Sequence, residues 1–471
     1  MDPKSTTFVK ENMELFGFGN ADDALFTSFT EVLDNSIDAV LNNPDPVDEP
    51  TIRVSLVSSK QPNEFTLSTV DNGIGMDGGA IPLLCGGVFS TSKNQGNQST
   101  VGKYGVGLKA ILLYYHSILS VSSSTRRQSN VTSYRLRMDP GVAESSPLVI
   151  LKKKVTPKPP ELKDSLSGTH ITIDHVTGDL SRFVPRVKEY VSRLTALTPP
   201  FHLLVQIQDE SVLDYHPPSL YSNREYAFNT VSFQQTSPPP SPPFFASCQQ
   251  DRFELDCFAT VIPSSSPFAV AIRSYDDHAS LLLLRYANYK PLMAHAAVCG
   301  LTRSLLKFSH WARFGYSLRF QSELASGIAV IGQKGASAHE VGEQDLLFLV
   351  AHLRSHDRIR FTSLTKTSLV EEEAIEKAMK HCLHDLMNGV QQTFPTRFLS
   401  KRQSKQLRVF KDGIPSVANS VTNLLSLMDE ERRRVCLAPL QLPEDSLSSV
   451  ETRLIELMSG VMEKAVKRVK K

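Results

Sequence analysis

The apolar positions of this chain do not keep one period. Up to about residue 205, strand-like alternation such as FTLSTV (65–70) takes turns with helical spacing such as AILLYYH (110–116), with glycine-rich loops between them. From Phe253 onward the runs FELDCFATVI, FAVAIRSY, LLLLRYAN, GIAVIG and LLFLVAHL each predict a strand. A helical candidate near Ala294–Phe308 interrupts them. After Thr365 the spacing turns helical in EEEAIEKAMKHCLHDLMNGV, and Pro395 is expected to end or kink that helix. The final segment, Asp445–Lys471, sets Leu447, Val450, Leu454, Leu457, Met458, Val461, Ala465 and Val469 at helical spacing. Ser or Asp near its start can cap it, and its Lys/Arg-rich end suits the helix dipole.

Residues 206–250 break this pattern. They are polar and run into Ser237-Pro-Pro-Pro-Ser-Pro-Pro243, which predicts an extended, solvated linker. The chain therefore divides into 1–205, the 206–250 linker, a second unit over 251–410, and a helical C-terminal region over 411–471. Strands mixed with helices on both sides of the linker predict an α+β protein.

Composition narrows the function classes. The 471 residues allow two to three domains, and 41% hydrophobic with 21% charged residues is ordinary for a globular protein. No apolar run reaches membrane-spanning length, so no membrane role is expected. The first residues, MDPKSTTFVKENMELF, lack the basic and apolar regions of a secretory signal. The six cysteines contain no Cys-x-x-Cys pair, so reduced thiols are expected rather than zinc or redox chemistry. A formal charge of +2 does not predict nucleic-acid binding by itself.

Three motifs carry candidate chemistry. In Glu31-Val-Leu-Asp-Asn35-Ser-Ile-Asp38, Glu31 and Asn35 are one helical turn apart and share a face. A carboxylate beside a carboxamide can orient water and hold Mg²⁺, which favours oxygen ligands; an ordinary polar helix face would look the same. Asp71-Asn-Gly73-Ile-Gly75-Met76 follows a strand, so that its carboxylate can accept an amine while the glycines let backbone approach a ligand. Asp-Asn-Gly is equally good turn chemistry. Gly102-Lys103-Tyr104-Gly105-Val106-Gly107-Leu-Lys109 runs into a helix and can offer N–H groups to phosphate, with Thr91-Ser92-Lys93 upstream as further contacts. It is neither a Walker A loop nor a Rossmann fingerprint.

Taken in order, and followed by Gly168-Thr169-His-Ile-Thr-Ile, these motifs resemble the four boxes of the Bergerat ATPases of the gyrase, Hsp90, histidine-kinase and MutL superfamily. The resemblance implies a GHKL α/β sandwich that binds ATP and Mg²⁺. It implies Glu31 as general base for water, Asn35 as Mg²⁺ ligand and Asp71 as adenine acceptor. Gly73, Gly75 and Met76 then line the adenine loop, Lys93 and the residues from Gly102 to Lys109 form the phosphate lid, and Thr169 supports the adenine end.

The flanks resemble the B subunits of topoisomerase VI. Phe8, Asn12, Gly17-Phe18 and Asn20 precede the first ATPase helix as in that family, although as a local matter Phe8, Met13, Leu15, Phe16 and Phe18 read as core residues. Ser92-Lys93 and Leu112-Leu-Tyr-Tyr-His are also similar. Phe361-Thr-Ser-Leu-Thr-Lys366 before Glu371-Glu-Glu is similar to the loop whose lysine reaches the γ-phosphate from a ribosomal S5-like transducer domain, which makes Lys366 the candidate ATP sensor. Trp311-Ala-Arg-Phe-Gly-Tyr is close to a further transducer stretch but departs from it at Ala312 and Phe314.

Archaeal and housekeeping B subunits carry a helix–two-turn–helix domain where this chain has its Pro/Ser-rich interval. In that respect it resembles the meiotic topoisomerase VI B-like proteins. Their family implies a nuclear subunit that dimerises through its ATPase domain in a heterotetramer with a Spo11-type topoisomerase VI A-like subunit. That partner makes the DNA double-strand breaks of meiotic recombination, and DNA is met mainly through the complex. A housekeeping topoisomerase VI B subunit relaxing supercoils, or a scaffold that does not hydrolyse ATP, remains an alternative. The 445–471 helix is a candidate docking element for the partner, or core of its own domain.

Overall fold

The computed structural model describes residues 8–44, 49–86, 106–138, 148–160, 166–197, 199–217, 244–324, 327–335, 341, 344–355, 359–362, 368–394, 401–434 and 452–459. Two sheets organise them. The first has eight strands in the order β5-β4-β3-β6-β2-β1-β7-β8. These are β1 (Thr51–Ser58), β2 (Glu64–Asp71), β3 (Ile118–Ser124), β4 (Asn130–Met138), β5 (Leu148–Pro157), β6 (Gly168–Thr177), β7 (His202–Ile207) and β8 (Glu210–Tyr215). Each neighbouring pair is antiparallel except β1 with β7.

Alternation along these strands decides which side chains face the helices. In β2, Phe65, Leu67, Thr69 and Asp71 are the buried positions, so the two-residue period carries a carboxylate to the inner face at the strand end. Against that face pack α1 (Ala21–Leu41) and α3 (Gly107–Tyr115), while α4 (Leu180–Ala196) packs on α1; α2 (Ile81–Gly86) is a short helix beside α3 and β4. The Asn20 side chain caps α1 by accepting from the Asp23 N–H at 2.9 Å. In the lead-in to α1, Phe16 and Phe18 are buried as expected, but Phe8 and Leu15 are 45% and 54% exposed rather than core.

The second sheet runs β13-β14-β11-β15-β10-β9, with β12 paired to β11. Its strands are β9 (Phe244–Gln249), β10 (Phe253–Ile262), β11 (Ala279–Ala287), β12 (Lys290–Pro291), β13 (Leu318–Glu323), β14 (Ala329–Gln333) and β15 (Leu346–Ser355). β11 is buried at every position, which explains why LLLLRYA reads as a continuous apolar run. One face is covered by α6 (Gly300–Leu306) and α7 (Glu373–Thr393). The other carries α5 (Pro267–Tyr275). The long α8 (Lys401–Arg434) follows, with Val417, Leu424 and Leu427 exposed.

Two expectations change. FAVAIRSY lies in α5, a helix rather than a strand: Ser266 accepts from the Ala269 N–H at 3.1 Å and Pro267 occupies the first turn. A short apolar run fits either structure, and here the cap and the proline decide. The stretch 206–250 is not linker throughout, because β7 and β8 continue the first sheet to Tyr215 and β9 begins at Phe244. Residues 218–243 and Pro395 lie outside the described residues, as does most of 445–471, of which 452–459 are helical.

Candidate nucleotide site

Between Ser28 and Val40, α1 is buried at every position except Glu31, Asn35 and Ala39. That four-residue spacing makes one open stripe on a helix otherwise enclosed all round. Core helices rarely leave a carboxylate and a carboxamide on their single open line unless that line faces a cavity.

Two loops close on this stripe. At one end, the Ile74 N–H donates to the Ala39 carbonyl at 3.1 Å, which pins the Asp71 loop against the helix. Gly75 has φ of +69°, and a Cβ there would stand 2.0 Å from the Ser124 carbonyl oxygen, so only glycine fits this bend. At the other end is the first residue of α3: a Cβ on Gly107 would fall 1.9 Å from Oε2 of Glu31. The Glu31 carboxylate thus sits against the N-terminal turn of a helix, where the dipole favours negative charge.

Asp71 is 8% exposed. Its Oδ2 accepts from the Ser36 hydroxyl at 3.0 Å and its Oδ1 from the Gly73 N–H at 3.0 Å. Burial pushes its carboxyl up to about 6, against the opposing pull of hydrogen bonds from Gly73, Ser36 and the Thr169 backbone. Thr169 is the register partner of Asp71 across β2 and β6. Its hydroxyl lies 3.0 Å from that of Ser123, which accepts from the Met76 N–H at 2.8 Å and donates to the Gly168 carbonyl at 2.9 Å.

Glu31, Asn35, Asp71, Gly73, Gly75, Met76, Gly107 and Thr169 therefore belong to one site, with Val106 buried at the head of α3. Lys109 is only 3% exposed, on α3 beside Cys85. Lys93, Gly102, Lys103, Tyr104, Gly105 and Lys366 lie outside the described residues. Sequence reading missed Ser36, Ser123 and Thr69, whose hydroxyl stands 3.2 Å from that of Ser36. Ser36 follows Asn35 directly, but only the β2 register reveals that it reaches Asp71.

The donor set fits the implied ligands. A buried carboxylate, whose oxygens can each accept more than one hydrogen bond, suits an exocyclic amine, and the Asn35 carboxamide oxygen with the Glu31 carboxylate suits a hard cation such as Mg²⁺. Elsewhere among the described residues, His202 on β7, Asp214 on β8 and His216 just beyond it gather, with Asp214 accepting from His202 at 2.8 Å.

Residues 24–169 match the family described as histidine kinase-, DNA gyrase B- and HSP90-like ATPase. The chain is 27% identical over 220 residues to the B subunit of type 2 DNA topoisomerase 6 from Saccharolobus islandicus, covering 45% of this chain and 38% of that protein. To the Metallosphaera sedula protein of the same name it is 30% identical over 199 residues, covering 41% and 35%. Both matches thus span little more than a third of the relative's length. Among solved structures, the ATPase region of Saccharomyces cerevisiae topoisomerase II aligns over 78% of this chain and 82% of that one, at 15% identity and a TM-score of 0.46. The motif residues gathered along one open helix stripe lie within or beside the matched span, so residues 24–169 form an ATPase domain of the histidine kinase, gyrase B and HSP90 type in a chain similar to topoisomerase VI B subunits.

Proposed function

We propose that this chain binds Mg²⁺-ATP at the α1 stripe and works as the ATP-gated B-type subunit of a topoisomerase VI-like complex. The observation that carries it is the stripe itself: between Ser28 and Val40 only Glu31, Asn35 and Ala39 open from the buried helix, and the Asp71 loop and α3 meet it at its two ends. In this reading Asp71 accepts from the adenine amine, and Thr169 and Ser123 brace its strand. Asn35 holds the cation, which supplies charge neutralisation at the phosphates, and Glu31 orients and deprotonates the attacking water. Lys366 answers to the γ-phosphate from the second unit.

The finer reading is that the chain serves a Spo11-type partner in making meiotic double-strand breaks in the nucleus. Only residues 216–243 separate the two sheets, an interval that favours the meiotic branch over B subunits with an intervening helical domain. Exposed Phe8 and Leu15 beside the ATPase domain supply apolar surface for self-association, and the exposed apolar line of α8 supplies one for the partner.

Titration calorimetry with Mg²⁺-ATP tests the core of the proposal. Asp71→Asn is expected to abolish binding, whereas Glu31→Ala keeps binding and loses hydrolysis by about 10²-fold or more, the usual weight of a general base. A folded wild-type chain that binds no ATP would overturn it. Co-purification with a Spo11-type subunit tests the partner, and failure of both full-length chains to associate would remove the meiotic assignment.

A further inference from the structure

A salt bridge between the two sheets sits directly behind the candidate nucleotide site. Asp34, the residue before Asn35, is 1% exposed, and the Lys290 ammonium donates to its Oδ2. The Tyr190 hydroxyl of α4 donates to Oδ1 of the same carboxylate at 3.4 Å. Asp34 belongs to the first unit and Lys290 to the second, and the Lys290 side chain is only 6% exposed.

Lys290 is placed there by a hairpin that has little freedom. Ala287 pairs with Lys290 across β11 and β12, and the two residues between, Asn288 and Tyr289, both have positive φ, 47° and 67°. Two successive left-handed residues make a type I′ turn, which tyrosine adopts only under constraint. The constraint is visible. The Asn288 amide donates to the Ser355 carbonyl at 3.2 Å, while its oxygen accepts from the Ser355 N–H at 2.8 Å. The Tyr289 N–H donates to Nε2 of His352 at 3.2 Å. The hairpin is thus bolted to β15, the central strand of the second sheet, and carries its lysine into the first unit.

Packing runs both ways across the same junction. Met293, just past β12, packs on the core of the first unit, and Leu197, at the end of α4, belongs to a core cluster of the second. The Tyr286 hydroxyl donates to the Arg193 carbonyl at 3.1 Å. A desolvated charge pair is poor glue compared with apolar packing, but it is sharp about position: either partner alone leaves a buried charge uncompensated. Asp34 is also one residue from Asn35 and one turn from Glu31, so any shift of α1 on loading its open stripe moves Asp34 as well.

We propose that Lys290 is a positioning residue that couples α1 to the second sheet, so that occupancy of the Glu31–Asn35 stripe is felt in the hairpin at 287–293. The part concerning nucleotide rests on the ATP reading above; the mechanical link does not. The route is a rigid one, from the stripe through Asp34 and Lys290 to β11 and β15.

Hydrogen–deuterium exchange on the full chain, with and without Mg²⁺ and a non-hydrolysable ATP analogue, tests the link. In wild type the analogue is expected to slow exchange across 284–293 by about fivefold or more, the lower range of allosteric coupling. The double variant Asp34→Asn/Lys290→Met, which leaves no lone buried charge, is expected to bind the analogue yet lose that slowing. Lys290→Arg is expected to restore most of it, which a purely space-filling role would not require. Undiminished slowing in the double variant would overturn the proposal. If wild type binds no analogue, the ATP reading fails instead, and calorimetric unfolding judges the link: one transition in wild type and two in the double variant support it, whereas one in both overturns it.

Discussion

The Ser36 hydroxyl donates to Oδ2 of Asp71 at 3.0 Å, joining the middle of α1 to the end of β2. This bond, which neither sequence box advertises, adds to the Ile74–Ala39 backbone bond in holding two of the four boxes together. Because Ser36 bonds the charged form, it helps keep a buried carboxylate ionised. Ser36→Ala is expected to raise the Asp71 pKa further and to weaken ATP binding by about 1 kcal/mol, roughly fivefold, with little change in fold. Calorimetry at pH 7.5 reads the affinity; an unchanged affinity across pH 6–8 would remove Ser36 from the site.

Asp71 itself sets a pH dependence. Its folded pKa of about 6 lies above the unfolded value of 3.8. The empty protein therefore holds this proton more tightly than the unfolded chain does, and loses stability at this group as pH rises from about 4 through 6, by up to roughly 3 kcal/mol. Ligand affinity runs the opposite way, because only the carboxylate accepts an amine. ATP binding is expected to weaken about tenfold for each unit below pH 6, with proton release on binding near pH 6. Calorimetry in two buffers of different ionisation enthalpy measures that release directly, and a flat profile between pH 5 and 7 would remove Asp71 as acceptor.

Gly107→Ala separates hydrolysis from folding. The added Cβ would meet Oε2 of Glu31 at 1.9 Å, the mobile end of a side chain and not backbone. The carboxylate swings aside and the helix survives; alanine at a helix start even favours it by up to about 1 kcal/mol. The expected result is an unfolding midpoint near that of wild type with hydrolysis reduced by about tenfold or more, as misplacement of a base costs. A drop in stability with hydrolysis per folded molecule intact would contradict this placement of Glu31.

Much of the site was legible because its residues are set by local periods. The helical spacing of Glu31 and Asn35 and the two-residue alternation that carries Asp71 inward both follow from sequence. Ser36, Ser123 and Lys290 were not legible, since each acts through a partner brought near by sheet register or by the junction between sheets. The second unit was less readable at its surface than in its core. The almost wholly buried β10 and β15 and the fully buried β11 announced themselves as apolar runs, whereas α5 hid in a run of the same kind until Ser266 and Pro267 were given their weight. The edge strands β8 and β9 disappeared into the polar stretch around the proline run, because exposed edges need few apolar residues.

His352 links acidity to the junction between the sheets. It is buried on β15, where burial first and the nearby Arg354 charge second push its imidazole down to about 3. The rings of Tyr286 and Tyr289 lie against it, at 6.2 and 4.9 Å between centroids, and its Nε2 accepts the Tyr289 N–H, a role that only an unprotonated nitrogen can fill. A folded pKa depressed below the unfolded value of about 6.5 contributes stability that is whole above pH 6.5 and lost as pH falls toward 3, about 2 kcal/mol of it by pH 5. Between pH 4 and 6 this opposes the gain from protonating Asp71, so the two can be told apart by variant. His352→Gln retains an acceptor for Tyr289 without a titrating ring, and is expected to flatten the acid decline of the unfolding midpoint while costing some packing at neutral pH. The same loss should reach the hairpin: in wild type, exchange across 287–293 should quicken below pH 6 before the strands of the first sheet open. Simultaneous opening of both sheets would mean that His352 stabilises the fold as a whole and not the turn that carries Lys290.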